Sequence, residues 1–155
     1  MEGLIVIRPL GADDLEAVLQ IQAQCPEIVA WSRAAYAPVV CGNYRGWVAV
    51  TGPQVLGFLV SRQTLEEAEI LNLAVRPEAR RLGLGSQLLA RALEEARRAG
   101  VRRVGLEVRA SNVAAIRFYE RHGFRLQGRR RDYYSNPRED ALLYGCVLAP
   151  SQPET

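Results

Sequence analysis

The chain has 155 residues, of which 48% are apolar and 24% are charged, as in an ordinary single globular domain. No apolar run reaches the roughly 18 to 20 residues of a membrane-spanning helix. The N-terminus also lacks the basic flank and the small-residue cleavage site of a signal peptide. We therefore expect a cytoplasmic protein without a membrane partner, with one domain over residues 1–148 and a flexible tail over residues 149–155.

The basic and sulfur-containing residues exclude several kinds of catalytic site. All 20 basic residues are Arg, so the chain has neither the Lys of a phosphate-binding Walker loop nor the amine of a Schiff-base enzyme. His122 is the only histidine, and it precedes Gly123, where a polar side chain commonly ends a helix. Cys25, Cys41 and Cys146 are odd in number and far apart, which indicates neither a disulfide framework nor a zinc cluster. We expect no metal site.

Charge is unevenly distributed along the chain. Residues 1–75 hold four Arg against eight acidic residues, residues 76–138 hold sixteen Arg against six, and the rest hold three acidic residues and no Arg. The net charges of −4, +10 and −3 sum to the total of +3. The middle of the chain is therefore expected to bind anions, whereas the first half suits basic partners.

Hydrophobic periodicity and turn residues predict an alternation of strands and helices. The first half is predicted to form a strand over residues 4–10, a helix capped by Asp13 or Asp14, a short helix over residues 32–36 stopped by Pro38, and strands over residues 46–50, 55–62 and 69–75. The second half is predicted to form a helix ending at Gly100, a strand over residues 102–110, a helix over residues 112–123 capped by Asn112, and closing strands over residues 124–128 and 139–148. This order indicates a mixed α/β sheet with helices on both faces. The apolar strand over residues 69–75 is expected at its centre.

Residues 80–85, with the sequence RRLGLG, stand where a predicted strand turns into a helix. A helix N-terminus has unpaired N–H groups and a partial positive charge, so it readily binds an anion. Gly83 and Gly85 have no side chains that would keep a phosphate away from those groups, while Arg80 and Arg81 add charge. A pyrophosphate is the expected ligand.

Two other interpretations of these glycines are weaker. A dinucleotide-binding fingerprint would need a third glycine at position 88, which is Leu, and a shorter turn after the strand. An ordinary helix start needs no ligand at all, and two glycines alone do not exclude it.

The glycine-rich stretch and longer segments of the sequence resemble a known protein family. Residues 80–85 resemble the pyrophosphate loop of the GCN5-related N-acetyltransferases (GNAT), and the order of elements matches that fold. The segments over residues 71–85 and 106–124 look like those of bacterial ribosomal-protein-alanine N-acetyltransferases. The similarity extends from about residue 69 to residue 148, whereas residues 1–60 match only in pattern, apart from Trp31-Ser32, which lies where the family often has a similar pair.

The resemblance implies a GNAT fold, with a mixed and mostly antiparallel sheet of about seven strands and a splayed central parallel pair. It also implies acetyl-CoA as co-substrate, with its pantetheine arm in the splay and its pyrophosphate at the glycine-rich loop. The positions that match the cofactor-binding residues of the family are Leu73, Ala74, Val75, Arg80, Arg81, Leu82, Gly83, Leu84, Gly85, Ser86 and Asn112.

Two residues match the catalytic positions of the family. Glu107 alternates with apolar residues in a predicted strand, which on spacing alone fits a solvated face. Tyr119 lies one turn from Ile116 in a predicted helix, where a core aromatic is the plain interpretation. The resemblance instead implies that Glu107 is the general base, acting directly or through a water, and that Tyr119 gives a proton to the CoA thiolate.

The acceptor side is predicted from less specific signals. Residues 129–134, RRRDYY, are expected to bridge the last two strands, and they fit either an arginine-tyrosine surface cluster or a peptide site. Glu66, Glu67 and Glu69 would suit a basic peptide. The positions that the resemblance assigns to substrate binding are Trp31, Tyr133 and Tyr134.

The implied reaction is direct acetyl transfer, in a ternary complex, to the N-terminal α-amine of a protein, in particular the N-terminal alanine of a small-subunit ribosomal protein. A GNAT enzyme acting on a small-molecule amine or a lysine side chain stays open. An inactive acetyl-CoA sensor would not need both Glu107 and Tyr119. The sixteen central arginines would suit an RNA-binding module, but aromatic residues are interleaved with them only at residues 129–134, so we expect no direct nucleic-acid binding.

Overall fold

Seven strands form a single sheet in the computed structural model, which describes residues 3–150. The strands are β1 (Val6–Pro9), β2 (Arg45–Thr51), β3 (Gln54–Thr64), β4 (Glu67–Val75), β5 (Arg103–Arg109), β6 (Arg125–Tyr134) and β7 (Glu139–Val147). The α-helices are α1 (Leu15–Ala23), α2 (Ala37–Val40), α3 (Leu84–Arg98) and α4 (Val113–Arg121). The strand order is β1-β2-β3-β4-β5-β7-β6, and only the β4–β5 pair is parallel. The predicted mixed sheet with one central parallel pair is confirmed.

Helices cover both faces of the sheet, as predicted. Leu88 of α3 belongs to a buried cluster that includes Leu59 of β3 and the aromatic side chains around α4. Ile21 of α1 belongs to a second buried cluster, on the other face, with Phe58 and Val60 of β3. The alternation of side chains along a strand thus divides the core into two halves.

The short helix near Pro38 differs from the prediction. A 3-10 turn at Ala34–Tyr36 runs directly into α2, and Pro38 lies in the first turn of that helix instead of stopping it. Proline is tolerated there because the first N–H groups of a helix have no intrahelical acceptor.

Strand β6 is longer than predicted, and residues 129–134 do not bridge the last two strands. They lie within β6, and the connection to β7 consists of residues 135–138. Strand β6 is an edge strand with nearly all of its residues exposed. Its sequence therefore lacks the apolar alternation that marks a half-buried strand.

The ends of the chain and its helices bear on two further expectations. Residues 148–150 have no regular structure, and residues 151–155 of the predicted tail lie outside the described part of the chain. No helix within residues 3–150 is long and apolar enough to cross a membrane.

Asp14 is the N-cap residue of α1, one of the two predicted positions, but its side chain makes no capping hydrogen bond to that helix, because its carboxylate turns back along the chain. It accepts hydrogen bonds from the Gly11 backbone N–H and from both terminal nitrogens of Arg8, each at 2.8 Å. Asp14 is only 6% exposed. The Arg8 hydrogen bond, opposed in part by burial, holds the pKa of Asp14 below its usual range.

We expect Asp14→Asn to lower the free energy of unfolding by about 1 to 3 kcal/mol, the range for a hydrogen bond to a charged group. Because the folded pKa is lowered, this stabilisation is complete above the unfolded pKa of about 3.9 and is lost as the pH falls through the folded value. Urea unfolding of both proteins at pH 7 and pH 3 measures the difference. A larger difference in the free energy of unfolding between the two proteins at pH 3 than at pH 7 would contradict the assignment.

Candidate active site

A cavity opens where β4 and β5 separate. The two strands pair only from Glu67 to Ile70 of β4 and from Arg103 to Leu106 of β5. Leu71 is left without a partner in the β3–β4 register, so it is a bulge at the point where the parallel pairing ends. Beyond it the strands diverge and leave a cavity of about 1290 Å³.

The predicted site residues are brought together in this one cavity. Its wall includes Trp31, Leu73, Ala74, Val75, Arg80, Arg81, Gly83, Leu84, Gly85, Ser86, Glu107, Asn112, Tyr119, Tyr133 and Tyr134. Leu82 is the exception, because it is 48% exposed and does not line the cavity. Apart from the side chain of Leu82, the structure therefore gathers the whole predicted set around the splay.

The glycine-rich stretch forms a tight loop at the start of α3. Arg81 and Gly83 have left-handed backbone conformations, with φ of +71° and +77°. Helix α3 begins at Leu84, so the N–H groups of its first turn, from Leu84 to Ser86, have no intrahelical acceptor. With Arg81 and Arg121 also on the cavity wall, this end of the cavity is suited to an anion.

The two glycines serve different purposes. A Cβ at Gly83 would meet nothing within 4 Å, so the loop is open there. A Cβ at Gly85 would lie 3.3 Å from the Phe118 ring of α4. Gly85 therefore allows close packing of α3 on α4, a role that the sequence reasoning did not identify.

The Arg80 side chain is held by residues outside the glycine-rich loop. Its guanidinium lies 2.9 Å from Glu27 and 3.3 Å from the sulfur of Cys25, and its Nε donates to the Val75 carbonyl at 3.3 Å. The side chain thus ties the end of β4 to the segment after α1. Its charge is shared with Glu27 and is less available to a phosphate than the sequence suggested.

Ser86 and Asn112 are both fixed by hydrogen bonds. The Ser86 hydroxyl lies 2.9 Å from Nε2 of His122, which stands at the end of α4 as predicted. Asn112 caps α4, because its Oδ1 accepts from the Ala115 backbone N–H at 3.2 Å. These contacts hold the starts of α3 and α4 beside the cavity.

Glu107 projects from β5 into the cavity, on the opposite face of the sheet from Val108 and the α3 core. Its side chain is 22% exposed, and its Oε1 lies 3.6 Å from Nε of Arg130. Hydrogen bonding to Glu107 is the main factor that raises the pKa of Tyr133. The carboxylate therefore has the Arg130 guanidinium and the Tyr133 phenol as neighbours, and Arg130 lies 5.6 Å from the centroid of the Tyr133 ring.

Tyr119 is 7% exposed and packs edge-on against Phe118 and Phe124. Within residues 3–150, every fully buried side-chain N or O atom has a hydrogen-bond partner. The Tyr119 hydroxyl makes no hydrogen bond with any of these residues, so it is not fully buried. The hydroxyl must therefore reach the cavity surface. Burial raises the pKa of Tyr119, so the phenol is protonated at neutral pH.

The aromatic residues of the acceptor side line the cavity near Glu107. The Tyr133 and Tyr134 rings stand edge to face with centroids 5.1 Å apart, and Arg109 lies 4.4 Å above the Tyr134 ring. Burial is the main cause that raises the pKa of Tyr134 to about 12. Trp31 enters the wall from the segment between α1 and α2.

Only one of the three predicted acidic residues reaches this cavity. Glu69 lines it and is paired with Arg62 at 2.6 Å. Glu67 is the first residue of β4 and Glu66 directly precedes it, at the end of the strand away from the cavity, and neither residue lines it. All three acidic residues are therefore near the cofactor strand, as expected, but only Glu69 is placed where it could meet a substrate.

Comparison with known proteins fits this geometry. A family model described as Acetyltransferase (GNAT) family matches residues 15–124, more than half of the chain. The chain belongs to the GNAT acetyltransferase family. The resemblance found in the sequence is confirmed, and the protein is an N-acetyltransferase that uses acetyl-CoA.

Individual GNAT proteins match over nearly their whole length. The [ribosomal protein bS18]-alanine N-acetyltransferase of Escherichia coli (strain K12) is 36% identical over 145 residues, which are 92% of this chain and 97% of that protein. A crystal structure of the ribosomal-protein-S18-alanine N-acetyltransferase from Escherichia coli has a TM-score of 0.86 and 32% identity, covering 98% of this chain and 99% of that one. Arabidopsis thaliana NAA60 in complex with acetyl-CoA has a TM-score of 0.85 and 25% identity, covering 94% and 99%.

The cavity fits two parts of acetyl-CoA, its pantetheine arm and its phosphates. The edge of β4 that faces the splay has no strand partner beyond Ile70. Backbone groups of residues 73–75 on that edge, apart from the Val75 carbonyl that Arg80 contacts, are therefore available to the amides of a pantetheine arm. The α3 N-terminus, with Arg81 and Arg121 nearby, suits the phosphates. The described residues thus offer a strand edge and an anion site, which are what this co-substrate requires.

We expect Gly83→Ala to lower the free energy of unfolding by about 1 to 2 kcal/mol, because a side chain disfavours a positive φ. It should also weaken acetyl-CoA binding in calorimetry, since the new methyl group distorts the loop or intrudes on the phosphates. Gly52→Ala is the matched control, because Gly52 has a φ of +56°, nothing within 4 Å, and a place in the β2–β3 turn. Equal acetyl-CoA affinities for the two variants would contradict a close approach of the cofactor to Gly83.

Proposed function

We propose that this GNAT enzyme acetylates the N-terminal α-amine of a protein, and that its natural acceptor is the alanine N-terminus of ribosomal protein bS18. The names of the relatives at 36% and 32% identity support this acceptor. A ribosomal acceptor would locate the enzyme in the cytoplasm. The observation that carries the proposal is the carboxylate of Glu107 beside aromatic side chains, on the wall of the same cavity as the anion site.

The charge distribution of the cavity supports this pairing of substrates. Arg81 and Arg121 stand with the α3 N-terminus at one end, where a pyrophosphate needs cations. Glu69 and Glu107 stand at the acceptor end, where a protonated amine needs anions. Glu69 and Glu107 are each paired with an arginine, so they offer hydrogen-bond acceptors to the amine more than a net negative charge.

Glu107 is assigned as the general base. An α-amine has a pKa of about 7.7 to 8.0 and is partly neutral at cytosolic pH, whereas a lysine side chain has a pKa of about 10.4. A carboxylate is a sufficient base for an amine of this kind, because it needs to accept the proton only as the new N–C bond forms. Its position on the exposed face of β5 lets it act directly or through one water.

Tyr119 is assigned as the general acid. Acetyl-CoA supplies an acyl group that is already activated as a thioester, so no acyl-enzyme is needed. The raised pKa of Tyr119 keeps its proton in place until the departing sulfur requires it. The hydroxyl has no other partner among residues 3–150 and is free to face the splay.

The acceptor class is tested with two peptides, each incubated with the enzyme and acetyl-CoA and read by mass spectrometry. One begins with a free alanine followed by basic residues, with every lysine replaced by arginine; the other has a blocked N-terminus and several lysines. We expect a single added acetyl group on the first peptide alone. Acetylation of the second alone, or of neither while acetyl-CoA still binds, would sink the proposed acceptor class.

The catalytic roles are tested with Glu107→Gln and Tyr119→Phe. Each variant should lower kcat by about 100-fold or more, the range for a lost general acid or base, with acetyl-CoA affinity unchanged in calorimetry. In the wild-type enzyme kcat/KM should rise through the amine pKa of about 8, with no fall from Tyr119 ionisation until well above pH 10, because burial raises the pKa of Tyr119. A kcat within threefold of wild type for either variant would remove that residue from the mechanism.

A further inference from the structure

A buried polar network lies directly behind the acceptor wall of the cavity. Its members are Gln22 of α1, Tyr36 before α2 and Asn72 of β4, which are 8%, 0% and 6% exposed. Three neighbouring polar side chains in the core need a reason, because burying a polar group is unfavourable unless it is hydrogen-bonded. Gln22 and Tyr36 do not line the cavity, so they do not contact a substrate bound there.

The Gln22 side chain forms hydrogen bonds with both polar groups of the Trp31 backbone. Its Oε1 accepts from the Trp31 N–H at 3.1 Å, and its Nε2 donates to the Trp31 carbonyl at 2.5 Å. A side-chain amide used in this way replaces a neighbouring strand, so it fixes a segment that has no regular structure of its own.

Tyr36 and Asn72 connect this clamp to the sheet. The Tyr36 hydroxyl donates to Oε1 of Gln22 at 2.7 Å, and Nδ2 of Asn72 lies 3.4 Å from the same hydroxyl. Nδ2 of Asn72 also donates to the Val29 carbonyl at 3.3 Å. The Trp31 ring packs on the Tyr36 ring with centroids 5.0 Å apart.

The network therefore joins β4 to the segment between α1 and α2 that forms part of the acceptor wall. Asn72 directly precedes Leu73, where the strand edge suited to pantetheine begins. Val29 and Trp31 line the acceptor side of the cavity, and the network binds them through their backbone groups. The bulge at Leu71 contributes to this connection, because the extra residue turns Asn72 toward the α1 face.

We propose that Gln22 and Tyr36 are positioning residues for acceptor binding. They fix the segment over residues 29–31 at a set distance from β4, so the acceptor's first residues meet a rigid wall beside the reacting centre. This inference rests on the proposed acceptor role of this side of the cavity. Removing the network should weaken acceptor binding without changing the site for acetyl-CoA.

The test uses Tyr36→Phe and Gln22→Met in the full chain, with steady-state kinetics on the alanine-first peptide. Loss of the single Tyr36 hydroxyl should raise the acceptor KM by roughly 5- to 10-fold, and loss of the Gln22 amide should raise it by about 10-fold or more. The affinity for acetyl-CoA in calorimetry should stay within about twofold of wild type, because Gln22 and Tyr36 do not touch its site.

Tryptophan fluorescence gives a readout that general destabilisation would not move. Trp47 is buried, at 5% exposed, whereas Trp31 lies on the cavity wall. Both variants should therefore show a red-shifted emission and stronger quenching by acrylamide at temperatures well below Tm, as Trp31 is released.

Asp14→Asn is the matched control, because it removes a buried hydrogen-bonded group at the other end of α1. It should lower Tm while leaving the acceptor KM and the Trp31 quenching unchanged. The inference is overturned if Tyr36→Phe and Gln22→Met behave like this control, or if they change acceptor and acetyl-CoA affinity equally. Failure of the proposed function would instead appear in the wild-type enzyme, which would acetylate no N-terminal peptide.

Discussion

The whole site depends on one interrupted strand pairing. Strands β4 and β5 are held together only as far as Ile70 and Leu106, and the unpaired Leu71 marks the point of separation. The bulge opens the space between the strands and reverses which face each later β4 side chain addresses. Leu73 and Val75 therefore pack with the α3 core, whereas Asn72 and Ala74 face α1. A regular β4 would have neither the cavity nor the polar connection behind its acceptor wall.

The helical layers on the two faces of the sheet contribute different parts of the site. The α3 and α4 layer supplies the free N–H groups, the phenol of Tyr119 and the cations of Arg81 and Arg121. The α1 and α2 layer supplies Trp31, while β5 presents Glu107. Acetyl-CoA and the acceptor amine thus meet where β4 and β5 separate, each bound by its own layer. This geometry suits direct transfer in a ternary complex.

The sequence was sufficient for the order of elements, because helix starts, caps and apolar alternation are local signals, as at Gly83 and Asn112. Most of the cavity wall was predicted from the resemblance to the GNAT family instead, since the alternation around Glu107 alone fits a solvated face. Contacts between distant residues left no such signal: Arg80 meets Glu27 across 53 positions, and Gln22, Tyr36 and Asn72 come together only in the folded sheet. The bulge at Leu71 was also hidden, since an extra apolar residue in an apolar strand does not alter its pattern. The prediction made β6 too short, because an exposed edge strand has no apolar face and therefore no apolar alternation in its sequence.

Every ion pair within residues 3–150 joins a carboxylate to an arginine, and the whole sequence contains no lysine. A guanidinium keeps its proton and its charge at all physiological pH values, so it is not a nucleophile toward a thioester. An enzyme that works in constant contact with acetyl-CoA therefore exposes no side-chain amine of its own to that reagent. Its electrostatic framework, from the cations beside α3 to the pair between Arg130 and Glu107, is protected from self-acetylation.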